Sequence, residues 1–184
     1  MIVLGLGSNI GDKLDFITEA VRILSDSVLA APKISPVYES RAIVKPNSPD
    51  EWQQKFLNMA MSGETHLSPL ELLNTVKMIE KRLGRQERGR WAPREIDIDI
   101  LAYGSDEIEV DGLSVPHKDL IKRPFALKPL VDVEPNWQYP VEGAFFGKTA
   151  YQINEELYGN AVFNSGELAQ SDLVLDITGV KTVA

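Results

Sequence analysis

Three features of the 184-residue sequence predict an α+β sandwich of ferredoxin type, a mainly antiparallel sheet with helices on one face. The patterned segments run strand, helix, strand, strand, helix, strand. Two segments join a helix-start signal to an apolar stripe at helical spacing, and a third alternates at strict period two. The length suits one compact domain, and the absence of cysteine excludes a disulfide framework, a thiolate nucleophile and thiolate-held metal sites.

Residues 2–6 read as a short buried strand leading into the polar turn Gly7-Ser8-Asn9-Ile10-Gly11. Asp12 is placed to cap a helix whose stripe is Leu14, Ile17, Val21 and Leu24. Residues 33–40 resemble an edge strand despite Pro36, residues 56–62 a second strand, and 41–55 between them a long mobile loop. Ser68-Pro69-Leu70-Glu71 supplies the cap, N1 proline and N3 carboxylate of a helix that continues through Leu73, Val76, Ile79 and Leu83 to Gly84. Residues 95–101 alternate as a strand, and a hairpin is expected around Asp111-Gly112. Residues 117–130 read as mostly loop and short helix, and 147–158 as another helix. The tail reads either as an extra strand against the body or as a partly ordered extension.

Lys and Arg number 19 against 27 Asp and Glu, a formal charge of -8, which disfavours sequence-independent nucleic-acid binding but permits a local anion site. The N-terminus lacks a basic leader, and Asn9, Asp12, Lys13 and Asp15 soon interrupt its apolar run, so no signal peptide is expected. No apolar stretch approaches membrane-spanning length, and a soluble, cytoplasmic protein is expected.

The chemistry concentrates between Lys77 and Asp99. Residues 77–94 hold seven basic side chains (Lys77, Lys81, Arg82, Arg85, Arg88, Arg90, Arg94) against Glu80 and Glu87. Most lie past the Gly84 helix stop, where guanidinium forks on a loop can close over phosphate oxygens, although a solvated basic loop gives the same pattern. Asp97 and Asp99, two residues apart in a strand, point to one face while Ile96, Ile98 and Ile100 point to the other. Two like charges on one face repel; they form either a wet sheet surface or a seat for hard divalent cations shared with substrate phosphates. Trp91 is either a stacking platform or a loop anchor, Asn58 in an apolar strand needs a backbone or ligand partner, and His117, which follows Pro116 after the hairpin, could meet a phosphate, although a single histidine is a weak signal. His66 reads as a turn residue, and Gly5, Gly7 and Gly11 lack the spacing of a dinucleotide or Walker loop.

The segment Gly84-Arg85 followed by Arg90-Trp91-Ala92-Pro93-Arg94-Glu95-Ile96-Asp97-Ile98-Asp99-Ile100-Leu101 resembles the signature of the 6-hydroxymethyl-7,8-dihydropterin pyrophosphokinases of folate biosynthesis. Gly7-Ser8-Asn9-Ile10-Gly11, Phe56-Leu57-Asn58, Ile79-Glu80, Val115-Pro116-His117 and Arg123-Pro124-Phe125-Ala126-Leu127 follow in the family's order, and the resemblance spans about residues 2–140. It implies a ferredoxin-like body that transfers the β,γ-pyrophosphoryl group of ATP to the pterin hydroxymethyl oxygen and releases AMP, with two magnesium ions. By the same resemblance Asp97 and Asp99 are the metal ligands and, with Arg85 and Arg94, the catalytic set. The nucleotide side falls to Lys77, Glu80, Arg85, Arg88, Arg90, Arg94, Ile100, His117 and Arg123. The pterin side falls to Ser40, Phe56, Asn58, Trp91 and Phe125, with Trp91 and Phe125 sandwiching the ring.

The sequence departs from the family pattern at Glu87, where a second arginine is common and Arg88 stands beside it. It departs also at Ala92, at Phe56, and in Tyr38-Glu39-Ser40-Arg41-Ala42-Ile43-Val44. Residues 1–160 are expected to form the catalytic domain and 161–184 a C-terminal extension, packed or partly ordered. The partners expected are ATP and the pterin, with no nucleic acid and no membrane, for a monomer that can associate with another folate-pathway enzyme. The rival readings are a nucleotide-binding regulatory module without catalysis and a structural subunit that binds a partner protein through its charged patches.

Overall fold

Strand β1 (Ile2–Ser8) runs antiparallel between β4 (Phe56–Glu64) and β5 (Asp97–Tyr103). The computed structural model that shows this describes residues 1–89, 91–159, 161, 167–173 and 175. On its far side β4 pairs with both β2 (Ala30–Ile34) and β3 (Tyr38–Ser40), so the single strand expected over 33–40 is in fact two. The break follows from Pro36, which has no N–H to give a ladder. Ser35 repairs the gap: its backbone N–H donates to the Ala60 carbonyl and its hydroxyl accepts from the Ala60 N–H, each at 2.9 Å. A last strand, β8 (Leu168–Gln170), pairs antiparallel with β3, and the main path of the sheet is β5-β1-β4-β3-β8.

Helix α1 (Lys13–Ser27) starts where Asp12 Oδ1 accepts the Asp15 N–H, and α2 (Pro69–Arg82) starts where both the N–H and the hydroxyl of Ser68 donate to Glu71. Their stripes (Ile17, Val21, Leu24; Leu72, Val76, Ile79) bury one face of the sheet, formed by Ile2, Leu4, Leu6, Leu57, Met59, Met61, Ile98 and Ile100. Spacing alone predicts this layer, because i, i+3, i+4 stripes must meet the period-two rows of the strands.

The opposite face holds a second core, which the sequence reading did not anticipate. Helices α3 (Pro124–Val133) and α4 (Ala150–Leu157) pack Leu127, Leu130, Val131, Ala150 and Ile153 against Val3, Ala60, Leu101 and Ala102. Helices therefore lie on both faces. The stretch 117–130, expected to be mostly loop and short helix, contains the start of a ten-residue helix that begins with Pro124 and carries Pro129 inside it. Local propensity argues against such a helix, and burial of its apolar side chains outweighs it. Beyond β5 the expected hairpin forms from β6 (Ile108–Val110) and β7 (Leu113–Val115), with Gly112 at φ +79° in the two-residue turn. No helix among the described residues is long and apolar enough to cross a membrane.

α3 and α4 cover only part of their face. A register shift between Val3 and Leu4 opposite β5 lets both Leu101 and Ala102 join the second core. From that point toward Ser8, the same face of β1 shows only Gly5 and Gly7, and this end of the sheet lies open.

Candidate active site

The pairing register lays the site out in rows. Gly7 lies between Asn58 on β4 and Asp97 on β5, and Gly5 lies between Ala60 and Asp99. Strand spacing separates Asn58 from Asp97 by roughly 10 Å at the backbone, with a glycine floor between them. A Cβ built on Gly7 would come within 3.2 Å of Asn58 Oδ1 and 3.5 Å of the Phe56 ring, so a side chain there would enter the groove. The groove is a cavity of about 230 Å³ whose lining includes Phe56, Asn58, Trp91, Arg94, Asp97, Asp99, His117, Arg123 and Phe125.

The two aspartates differ in environment. Asp97 Oδ1 accepts from Arg85 at 2.6 Å, and its Oδ2 pairs with Arg94. Burial alone would raise the Asp97 pKa, but the Arg94, Arg85 and Lys77 charges outweigh it and hold the group below the usual carboxylate range. Asp99 has no such clamp. Burial, then the Asp97 charge, pushes its pKa up to about 7, although its side chain keeps 38% of its surface open to the groove. The repulsion expected between the pair is thus relieved at Asp97 and left standing at Asp99. Among the described residues no cluster of three or more His, Asp or Glu side chains could hold a metal ion. Two carboxylates, one of them charge-frustrated, fit a hard cation that draws its remaining ligands from phosphate and water.

Glu80, expected on the nucleotide side, lies 2% exposed and lines neither described cavity. Its Oε1 accepts from Lys77 at 2.9 Å and from the Ile98 N–H at 2.7 Å and forms an ion pair with Arg85 at 2.6 Å, which straps α2 to β5 and aims Arg85 at Asp97. His117 Nδ1 accepts the Asp119 N–H, which leaves the ring proton on Nε2, 4.0 Å from Asp99 Oδ2. Burial and the Arg123 charge lower the His117 pKa, so the ring is neutral at pH 7. Arg123 donates to Asp119 at 2.7 Å, and Phe125 follows in the first turn of α3.

On the opposite wall of the groove, Asn58 Nδ2 donates to Ser40 Oγ at 2.9 Å, which fixes the orientation of the Asn58 amide. Trp91 sits in the left-handed region at φ +74°, a costly conformation for a bulky residue, and its side chain lines the groove. Arg88 is drawn away: both its terminal nitrogens donate to Glu95, and it lines neither cavity. Arg90 lies outside the described residues. A second cavity of about 410 Å³ is lined by Lys77, Asp99, Ile100, His117 and the β6–β7 hairpin, and it shares Asp99 and His117 with the first. Of the residues expected to bind, Phe56, Asn58, Trp91, Arg94, Asp97, Asp99, His117, Arg123 and Phe125 meet in the groove, and Lys77 and Ile100 join through the second cavity.

The sequence reading assigned no role to Asn9 or to Gly7. Asn9 is 1% exposed; its Oδ1 accepts the Arg94 N–H at 2.8 Å, its N–H donates to the Arg94 carbonyl at 3.1 Å, and its Nδ2 donates to Gln54 O at 3.3 Å. One amide thus clasps both segments that flank the groove to the end of β1. The available signals were a polar residue where an apolar strand ends and its place in the Gly7-Ser8-Asn9-Ile10-Gly11 motif. Arg41 and Ile43 also line the groove, where the sequence departs from the family pattern.

The family model for 7,8-dihydro-6-hydroxymethylpterin-pyrophosphokinase matches residues 3–135. The chain is 46% identical over 140 residues to the 2-amino-4-hydroxy-6-hydroxymethyldihydropteridine pyrophosphokinase of Aquifex aeolicus, covering 76% of this chain and 84% of that protein. It is 42% identical over 133 residues to a folate synthesis bifunctional protein of Arabidopsis thaliana, but spans only 26% of its length. A crystal structure of a Plasmodium falciparum HPPK-DHPS with pterin and p-hydrobenzoate superposes at a TM-score of 0.61 and 16% identity, over 92% of this chain and 47% of that one, and shows the same fold. With the family model covering most of the chain and the nearly full-length Aquifex relative at 46% identity, this chain belongs to the 7,8-dihydro-6-hydroxymethylpterin-pyrophosphokinase family.

Proposed function

We propose that the open end of the sheet binds the pterin against the Asn58 wall and the ATP phosphates against the Asp97 wall, for pyrophosphoryl transfer in folate biosynthesis. The observation that carries this reading is the row Asn58, Gly7, Asp97: a donor and acceptor edge and an anionic pair face each other across a bare floor. The reaction joins the hydroxymethyl oxygen to the β-phosphorus of ATP, breaks the bond to the α-phosphate oxygen, and releases AMP and the hydroxyl proton.

Trp91 and Phe125 hold the ring by its faces, and Asn58, kept in one orientation by Ser40, reads its polar edge. Arg94, which lines the groove and spends only part of its donor fork on Asp97, grips the transferred phosphates; Arg85, which lines neither described cavity and pairs with both Glu80 and Asp97, supports them from behind Asp97 with its remaining N–H groups. His117 offers its Nε2–H to a phosphate oxygen, and the second cavity, bordered by Lys77 and Ile100, takes the rest of the nucleotide. Asp97 and Asp99 would hold magnesium, which when bound supplies neutralisation of phosphate charge. Glu80 and Asn9 act through these groups by fixing Arg85 and Arg94. Residues 1–160 then hold every side chain assigned to contact either substrate. The fused Arabidopsis relative supports association of this chain with a further folate-pathway enzyme.

Release of AMP from ATP only when magnesium and 6-hydroxymethyl-7,8-dihydropterin are both present is the expected result. ATP binding without pterin-dependent AMP would instead indicate the regulatory module. Within the pocket, Asn58→Ala is expected to weaken pterin binding by roughly 10- to 100-fold, since an unpaired polar edge costs about 1–3 kcal/mol. Titration calorimetry with an ATP analogue present checks it, and parental affinity would remove Asn58 from the site.

A further inference from the structure

We propose that the C-terminal strand β8 backs one wall of the pterin pocket and that Leu168 is a positioning residue for Phe125. The inference rests on the reading of Phe125 as one wall of that pocket. β8 lies beyond residue 135, where the family match ends. Leu168 is 1% exposed and forms a small cluster with the buried Tyr38, separate from the two large cores, and half-buried Phe125 and Tyr158 pack against it. Phe125 thus both lines the groove and packs against the Leu168–Tyr38 cluster.

The register explains why a tail residue reaches the pocket. Leu168 pairs with Ser40, whose neighbour across the next strand is Phe56 and whose hydroxyl orients Asn58. The same strand pair is closed by the Ser171 N–H, which donates to the Val37 carbonyl at 2.8 Å. Tyr38 donates its hydroxyl to Asp132 of α3 at 2.6 Å, and Tyr158 donates to the Ile121 carbonyl at 2.7 Å, just before the Arg123-Pro124-Phe125 turn. The C-terminal region therefore holds the Phe125 segment from two sides. A phenylalanine in the first turn of a helix is free to swing when nothing backs it, and a ring that must be ordered on binding loses affinity for the ligand it faces.

The test uses the full chain. Leu168→Ala is expected to weaken 6-hydroxymethyl-7,8-dihydropterin binding by roughly three- to tenfold, the cost of ordering one side chain on binding, with the affinity for an ATP analogue unchanged. Leu168→Met, which conserves volume, should restore pterin affinity to within about twofold of the parent. Should Leu168→Ala lose its melting transition, Leu168→Val is read in its place by the same criteria. Parental pterin affinity in the truncated variant overturns the proposal, as does equal loss of affinity for both ligands, which marks general destabilisation. Phe125→Ala serves as the control. If it binds the pterin as tightly as the parent, the reading of Phe125 as a wall has failed and the inference falls with it; if it binds weakly while Leu168→Ala binds normally, only the inference has failed.

Discussion

Asp99→Asn is expected to cut the AMP-forming rate by about 10³-fold or more, the scale of losing one electrostatic stabiliser in a phosphoryl-transfer site, while the ligand-free protein melts at a higher temperature. The two effects oppose each other because the carboxylate that serves the reaction is frustrated in the empty protein. Its pKa of about 7 lies above that of an unfolded aspartate, near 4, so the folded state binds the proton more tightly. Stability from this group is therefore full below pH 4 and falls as pH rises toward 7. The stabilising effect of Asp99→Asn should be near zero at pH 4 and largest at pH 8, in melting curves recorded without divalent cations. Asp97→Asn should lose activity as well, but with the opposite effect on stability. Its pKa is depressed by Arg94 and Arg85, so it stabilises the fold above the unfolded value and loses that contribution as acid protonates it. Removing its charge leaves two guanidinium groups facing each other, at a cost of about 1–3 kcal/mol, or roughly 2–10 °C in a domain of this size. Near-parental turnover in both variants at matched magnesium would return the pair to the sheet surface.

Arg94→Ala is expected to lower kcat by about 10²- to 10⁴-fold with pterin affinity within about twofold of the parent, since the lost group acts on phosphate charge. Arg88→Ala, six residues earlier in the same basic run, should change kcat by less than about twofold, because its guanidinium is spent on Glu95 at the surface. Steady-state rates of AMP formation for the two variants decide the matter. Equal losses would mean that Arg88 leaves Glu95 for the phosphates when substrates bind, and the empty-state pairing would then be misleading.

The contrast between these arginines shows where the sequence stops being informative. Period-two alternation put Asp97 and Asp99 on one face, and the Ser68–Glu71 start located α2, because both are local consequences of backbone geometry. Which arginine reaches the groove depends on the path of 84–95, which is set by Asn9 some 85 residues away and by a tryptophan in a left-handed conformation. Neither leaves a local pattern. The buried face against α1 and α2 was legible from apolar stripes, whereas the second core was not: 124–133 carries Pro129 in its interior, and its helix exists because Leu127 and Leu130 find Val3 and Leu101. Gly7 passed as a turn glycine until the register showed it between Asn58 and Asp97. The unequal state of the two aspartates was equally out of reach, since it depends on which one the guanidinium groups meet.

A one-residue slip of β5 against β1 would turn Ile96, Ile98 and Ile100 out into the groove and press two carboxylates into the apolar layer beneath α1 and α2. Both halves of that exchange are costly, and they come together, because side chains alternate strictly along a strand. The Glu80 strap adds a third restraint, since its carboxylate finds the Ile98 N–H in only one alignment. Folded yet misaligned molecules are therefore suppressed by the same residues that bury the strand. In this architecture catalytic competence needs no separate proofreading: the hydrophobic layer inspects the placement of the charges on its other side.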